Sequence, residues 1–388
     1  MLDDCLLIKE LLKVKEEIIE KAKRFEKARK KLLAAFKNYS SCNPKDISSS
    51  LKEKYYLFKG RISVGERKIK ISGYADPLEP LQPFSIKVAS PPSSNPKSWA
   101  LKVLRGWRVI GVDGSQIYPS RDFNIPLKYV QAAAFVRDGS NVRHEFQANF
   151  LTGRTVSADP LEVDLKRMKL ELELVKNLLE KEGDGKTCIL LDMPLASRHL
   201  RALKASRRGR LVKPVLELME LGEKKKIPII GYTTISYAWD LIASLAMLCE
   251  ENLEARPSDM GLLSYLLHEV GCRTTFFSLK GKFVEKLFKG REIVFTYFKV
   301  SSEPPVRIEM PKWVYTSGLA NEVLKVVLAE SILGEGYPYV LLRAHEAASL
   351  DYSDRELFYE ICLKFLREEC NLDVRESPKR RAKIESIV

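Results

Sequence analysis

The segment Arg108-Val109-Ile110-Gly111-Val112-Asp113-Gly114-Ser115 decides how the rest of the chain is read. Arg108 to Val112 is an apolar strand, and Asp113 falls where the apolar run ends. A carboxylate at the carboxyl end of a strand is held rigidly, and the flanking glycines let a ligand approach the backbone. Asp-Gly is also a common turn pair, and the two readings stand side by side. Downstream, Tyr129 to Arg137 is a second strand, closed by Asp138-Gly139-Ser140. Val142 to Leu151 alternates and pairs with it as a hairpin. Pro160 opens a long helix to about Lys181, with Leu165, Met168, Leu172, Val175 and Leu179 on one face. Then come a buried strand at Cys188–Leu191, a helix at Pro214–Lys226 and a buried strand at Ile227–Tyr232. A helix is expected at Tyr237–Glu251 and a β-rich stretch at 272–310. Helices at Leu319–Leu333 and Ser353–Glu369 flank a strand at Tyr339–Arg343.

Three strands in a meander, followed by alternating helices and strands, are α/β order. This is also the order of an RNase H-like core, a mixed sheet whose three-strand antiparallel meander is extended by alternating helices and strands. An insertion near 255–315 interrupts it. Upstream, residues 1–40 form an amphipathic helix with Leu7, Leu11, Val14, Ile18, Ala22, Phe25 and Leu32 at 3–4 spacing and Arg29 breaking the stripe. Residues 41–98 read as a linker (40–53), a small β-rich segment and a second linker, SPPSSNPKS, at 90–98. The main domain then covers 99–375, and 376–388 is a basic flexible tail.

Composition narrows the function. The 388 residues carry 65 Lys plus Arg against 51 Asp plus Glu, a net charge of +14. At 45% hydrophobic and 30% charged the chain is neither disordered nor fibrous. Such a surplus suggests a polyanionic partner, most simply nucleic acid. An anionic membrane surface and a merely solvated basic surface are the other readings. The seven cysteines form no CxxC pair, and with four scattered His they make neither a disulfide framework nor a zinc module. With no signal-peptide pattern and no apolar run of membrane length, the chain is expected to be cytoplasmic and without a membrane partner. Gly185-Lys186-Thr187 lacks the glycine five residues upstream that a phosphate loop needs, so no nucleotide cofactor is expected.

Four residues stand where chemistry can use them. Asp113 ends the first strand and Asp192 ends Ile189-Leu190-Leu191-Asp192-Met193-Pro194, and ligands of α/β sheets bind at that end. Asp192 as a loop or helix cap is the plainer alternative. Paired carboxylates hold divalent metal. Glu171 flanks the buried stripe of the long helix and can reach inward, whereas Glu173 points away; an exposed helical glutamate is the default for either. His345, in Arg343-Ala344-His345-Glu346, follows the strand at 339–343 and can bind metal or move a proton, with Glu346 a competing ligand. His144, His199 and His268 lack this context. Arg198, Arg201, Lys204, Arg207, Arg208, Arg210 and Lys213 form a run without an acidic residue, read as a phosphate-tracking DNA-binding surface. A second run, Lys280, Lys282, Lys286, Lys289 and Arg291, carries Phe283 and Phe288, which can stack on bases or simply pack. Tyr118, Phe123, Trp313 and Tyr315 are weaker stacking candidates.

From about 105 to 370 the successive blocks resemble those of NurA nucleases. The blocks are Val112 to Ser115, Ile189 to Leu195, Ile229 to Tyr232, Phe295 to Phe298 with Pro305 to Pro311, and Gly336 to Tyr339 with Ala344 to Glu346. The resemblance implies an RNase H-like nuclease dependent on Mn²⁺ (or Mg²⁺), with 5′–3′ exonuclease and single-strand endonuclease activity. It also implies a homodimer that caps a HerA-type hexameric ATPase in DNA end resection and double-strand-break repair. It puts Asp113, Asp192, a helical glutamate matched to Glu171, and His345 in the metal site. The chain departs from the pattern in two places. Asp192-Met193-Pro194-Leu195 stands for the family's Asp-Gly-Ser-Leu, and Thr233 and Thr234 stand where a lysine is frequent. A NurA-like adaptor that binds DNA without cutting it, and an RNA nuclease of RNase H-like type, are the alternatives.

Overall fold

The computed structural model describes residues 3–120, 122–139, 141–151, 160–181, 186–196, 205–234 and 237–385. In chain order it begins with α1 (Asp4–Lys13), α2 (Lys15–Tyr39), α3 (Pro44–Leu57), β1 (Arg61–Val64), β2 (Arg67–Lys70), β3 (Tyr74–Pro77), β4 (Ile86–Lys87) and α4 (Pro96–Leu104). The middle holds β5 (Trp107–Ile117), β6 (Lys128–Asp138), β7 (Asn141–Leu151), α5 (Pro160–Lys181), β8 (Lys186–Leu191), α6 (Ala205–Lys225), β9 (Ile229–Thr233) and α7 (Asp240–Cys249). Then follow α8 (Asp259–Leu263), β10 (Cys272–Arg273), β11 (Phe277–Lys280), α9 (Lys282–Phe288), β12 (Ile293–Phe298) and β13 (Val306–Pro311). The chain closes with α10 (Lys312–Thr316), α11 (Ala320–Leu333), α12 (Tyr339–Ala348), α13 (Tyr352–Glu368) and α14 (Pro378–Glu385).

The chain divides into two compact units. The first comprises Met1–Ala100, Met193–Ala202 and Gly231–Ile332; the second comprises Leu101–Asp192, Leu203–Ile230 and Leu333–Val388.

In the first unit β3, β11, β12 and β13 lie in that order, every pair antiparallel, and Gly231–Thr233 pairs antiparallel with β13. β12 and β13 are buried along their whole length; β12 (Ile293–Phe298) is almost wholly apolar, whereas β13 alternates apolar residues with the buried Arg307 and Glu309. Arg307 sits inside this core at 3% exposure, and Glu309 and Asp240 neutralise it. The expected N-terminal helix is two helices, broken at Val14. Only its later part is covered: Ala28, Leu32, Ala35 and Phe36 are buried, while Leu7, Leu11 and Ile18 are exposed. The linker expected at 40–53 is instead mostly α3. Its serines masked a buried stripe, Ile47, Leu51 and Tyr55 at 4-residue spacing, and the Asn43 side chain caps it by accepting the Lys45 N–H.

In the second unit the strand order is β7-β6-β5-β8-β9. β5, β6 and β7 form the antiparallel meander, and β8 lies parallel to β5. This is the RNase H-like order, a mixed α/β core. α5 and α12 both pack on β5 and β6.

Four expectations fail here. Tyr339–Arg343 is the start of helix α12, not a strand. Val340, Leu341, Ala344 and Ala348 are buried at 3–4 spacing, and the four-residue apolar run Tyr339–Leu342 cannot by itself separate a strand from a buried helix. Asp113 lies in the middle of β5, because Gly114 to Ile117 continue the ladder with β6 instead of turning. α6 begins at Ala205, with Pro214 inside it. The tail at 376–388 holds helix α14, fixed by Arg380 through Glu356 and Glu376. No described helix is long and apolar enough to cross a membrane.

Candidate active site

The site lies in the second unit and is built on β5. Side chains alternate along a strand, so positions 111 and 113 share one face and 114 takes the other. On the first face, a Cβ at Gly111 would sit 2.3 Å from the Val340 carbonyl oxygen. Only glycine lets α12 lie that close to the strand. The closeness brings His345, on the next turn of α12, to Asp113: Nδ1 is 2.7 Å from Oδ2. His345 Nε2 lies 3.4 Å from the Ser349 hydroxyl.

On the second face, a Cβ at Gly114 would meet the Glu171 Oε1 at 2.4 Å. Glu171 is on α5 and only 5% exposed. One turn earlier, Arg167 pairs with it. Burial pushes the Glu171 carboxyl up to about 7; Arg167 opposes this, and the charges of Asp113 and Asp192 add to it. Asp192, at the end of β8, is raised above the usual carboxylate range by burial, with a hydrogen bond from Tyr337 opposing and Asp113 adding.

Asp113 and His345 are in contact, and Asp113 and Asp192 lie near enough to Glu171, and Asp113 near enough to Asp192, for their charges to act on one another. Glu346 does not join them; it pairs with Arg343. Glu173 pairs with Lys169 on the outside of α5. His144 meets Phe135 edge-on and stacks with Phe146 on the meander, and His268 contacts the Tyr265 carbonyl. His199 lies outside the described residues.

Among the described residues, no three His, Cys, Asp or Glu side chains are drawn tightly enough to enclose an ion. Arg167 takes Glu171 and His345 takes Asp113. The donor chemistry nevertheless fits a hard divalent cation: three carboxylates and one imidazole suit Mn²⁺ or Mg²⁺. Electrostatics fit it as well, because two carboxylates held above their ordinary range by burial and by a third are a cost that a cation among them removes.

Of the basic run, Arg198, Arg201 and Lys204 lie outside the described residues, as does the side chain of Arg207. Arg208, Arg210 and Lys213 are on α6. Arg210 and Lys213 line a cleft of 400 Å³ between α5 and α6, opposite Lys166 and Lys169. Arg210 also reaches Glu162 at 3.3 Å. Among the weaker stacking candidates, Phe123 is stacked on Tyr359 inside a small core cluster, and Tyr118 is hydrogen-bonded to Asp164.

Sequence reasoning missed Arg167 and Tyr337. Arg167 stands four residues before Glu171, the spacing of a helical ion pair, so a signal existed. Tyr337 lies within a quoted block, but nothing local marks its hydroxyl for Asp192.

The profile of the NurA domain matches residues 108–350. No curated protein matches the chain. Among solved structures, the NurA nuclease from Sulfolobus solfataricus is 16% identical. The alignment covers 68% of this chain and 85% of that one, with a TM-score of 0.50. A second NurA structure is 11% identical over 82% of this chain and 96% of that one, with a TM-score of 0.44. A NurA structure bound to dAMP and manganese is 13% identical over 67% of this chain and 88% of that one, with a TM-score of 0.35.

Proposed function

This chain belongs to the NurA family of nucleases, and from that premise we propose that it is a Mn²⁺- or Mg²⁺-dependent deoxyribonuclease. Asp113, Glu171, Asp192 and His345 would hold the metal. The observation that carries the reading is the meeting of His345 with Asp113 across β5 and α12, beside the buried Glu171.

A divalent cation in this place supplies Lewis-acid polarisation of a phosphodiester and an easier deprotonation of the attacking water. The residues of the chain do the rest. Asp113 and Asp192 supply charge at fixed positions on neighbouring strands. Glu171, whose carboxyl burial raises to about 7 in the metal-free chain, would give up its proton on holding the cation and so add a third negative charge. His345 orients the Asp113 carboxylate through Nδ1 and presents Nε2 for proton movement. Arg208, Arg210 and Lys213 draw the phosphate backbone towards the unit, with Arg198, Arg201, Lys204 and Arg207 preceding them in the same run. The family resemblance supports a finer reading: 5′–3′ exonuclease and single-strand endonuclease activity, a homodimer, and a HerA-type hexameric ATPase as partner in DNA end resection.

The test is Mn²⁺-dependent cleavage of labelled single-stranded DNA, duplex DNA and RNA by the wild type and by Asp113→Ala. Metal-dependent DNA cleavage lost in the variant is the expected result. A folded wild type that binds DNA but neither binds Mn²⁺ nor cuts would make the chain a non-catalytic adaptor. Preference for RNA would make it a ribonuclease.

A further inference from the structure

The first unit carries a second cleft that this reading does not use. It lies between the end of α3, the β1–β2 hairpin and the start of α9, with a volume of 380 Å³. Lys59, Lys70 and Lys282 line it together with Tyr55, Tyr56 and Phe283, and no carboxylate is among its lining residues. The adjoining recess of 160 Å³ holds Asp76 and Glu285 together with Lys52 and Lys280, so the unbalanced positive charge is on the Lys59–Lys282 side.

The cleft has a built floor. Tyr55 is 7% exposed, its ring lies against Tyr74, and its hydroxyl accepts the Lys282 N–H at 3.2 Å. Gly60, at φ +62°, lets the chain turn over that ring; a Cβ there would sit 3.1 Å from it. On this floor Tyr56 stands 48% exposed, with the Lys282 ammonium 4.7 Å from the centre of its ring. Phe288, from the same basic run, is buried and packs instead.

We propose that this cleft is an accessory site for a single strand of nucleic acid, with phosphates on Lys59, Lys70 and Lys282 and a base stacked on Tyr56 or Phe283. Ammonium groups set beside aromatic rings match alternating phosphates and bases. An acidic peptide would use the charges but leave the rings without partners. A lipid surface needs a protruding apolar face, not a recess. The net charge of +14 fits the same partner. The inference rests on the reading of the chain as a nuclease for DNA, and adds a second place on the chain that holds the strand.

The experiment is fluorescence anisotropy of a labelled oligothymidine with the full chain in EDTA, so that no cutting occurs. Tyr56→Ala is expected to weaken binding by about tenfold, and Tyr56→Phe to restore it. Lys59→Glu combined with Lys282→Glu should weaken binding and flatten its salt dependence. Thermal melting confirms that each variant is folded. Unchanged oligothymidine affinity in folded Tyr56→Ala and in the double lysine variant overturns the proposal. So does cleft-dependent binding of polyglutamate or phosphatidylserine vesicles in place of oligothymidine. A wild type that cuts DNA, with binding indifferent to Tyr56, sinks this inference alone; one that binds through the cleft but never cuts sinks the nuclease reading alone.

Discussion

The imidazole Nδ1 of His345 lies 2.7 Å from Oδ2 of Asp113, joining two residues 232 positions apart in the chain. The contact ties a strand residue to a helix residue. It fixes how the Asp113 carboxylate is turned, as imidazole–carboxylate pairs do around metal ligands. His345→Asn should keep the fold, since the ring is largely exposed. It should weaken Mn²⁺ binding and DNA cleavage by about 10–100-fold. Calorimetric titration with Mn²⁺ measures the first and a gel assay the second; wild-type values in both would remove His345 from the site.

Glu171 gives a pH dependence whose sign can be worked out. Its carboxyl titrates at about 7 in the folded chain against an ordinary 4.5. Between those values the unfolded chain loses its proton first, so stability falls as pH rises and stays reduced above 7. Glu171→Gln removes the charge and the dependence. Without metal the variant should be more stable than the wild type at pH 8, by about 1–3 kcal/mol, and similar at pH 4. It should lose cleavage activity despite that stability. Melting curves across pH, with and without Mn²⁺, check this; a variant less stable at pH 8 would contradict it.

Gly111→Ala places a methyl group 2.3 Å from the Val340 carbonyl oxygen. α12 must move away from β5, and His345 with it. A loss of about 1–3 kcal/mol is expected from the overpacking, together with reduced cleavage. Gly139→Ala, at a position where an added Cβ meets nothing within 4 Å, is a control for general glycine effects, although its φ of +61° adds some strain. Equal activity in wild type and Gly111→Ala would show that the closeness does not position His345.

In the first unit, burial alone would raise Glu292, but hydrogen bonds from Lys280, Lys312 and Ser278 outweigh it and hold the carboxyl at about 2. A lowered folded value contributes stability above the ordinary 4.5 that is lost as pH falls towards 2. Glu292→Gln should cost on the order of 1 kcal/mol at neutral pH after solvent screening, and nothing near pH 2. Urea melts at both pH values test it.

Much of this protein was legible in the order of its residues. The meander of β5, β6 and β7 announced itself through period-two patterning and the Asp138-Gly139 turn, and α5 through its 3–4 stripe and Pro160. Those are local signals, because side-chain direction repeats with the period of the element. Asp113, Asp192 and Glu171 were marked by their place against such elements. Other features had no local signal. Tyr339 to Leu342 is apolar in either a strand or a buried helix, and only its packing on β5 selects the helix. The polar serines of α3 concealed a buried stripe that matters only once α3 packs against α7 and β3. The glycines beside Asp113 suggested room for a ligand; they make room for the backbone of α12 and the carboxylate of Glu171. Tyr337 acquires its role from Asp192, a partner brought near only by folding, whereas the Arg167–Glu171 pair has the four-residue spacing of a local helical contact. Local patterning thus specified most elements of the core and the carboxylates they carry, since periodicity is written into neighbouring residues. Which face each carboxylate occupies, what neutralises it, and how His345 reaches Asp113 were decided only by tertiary packing, because those distances join segments that the chain keeps far apart.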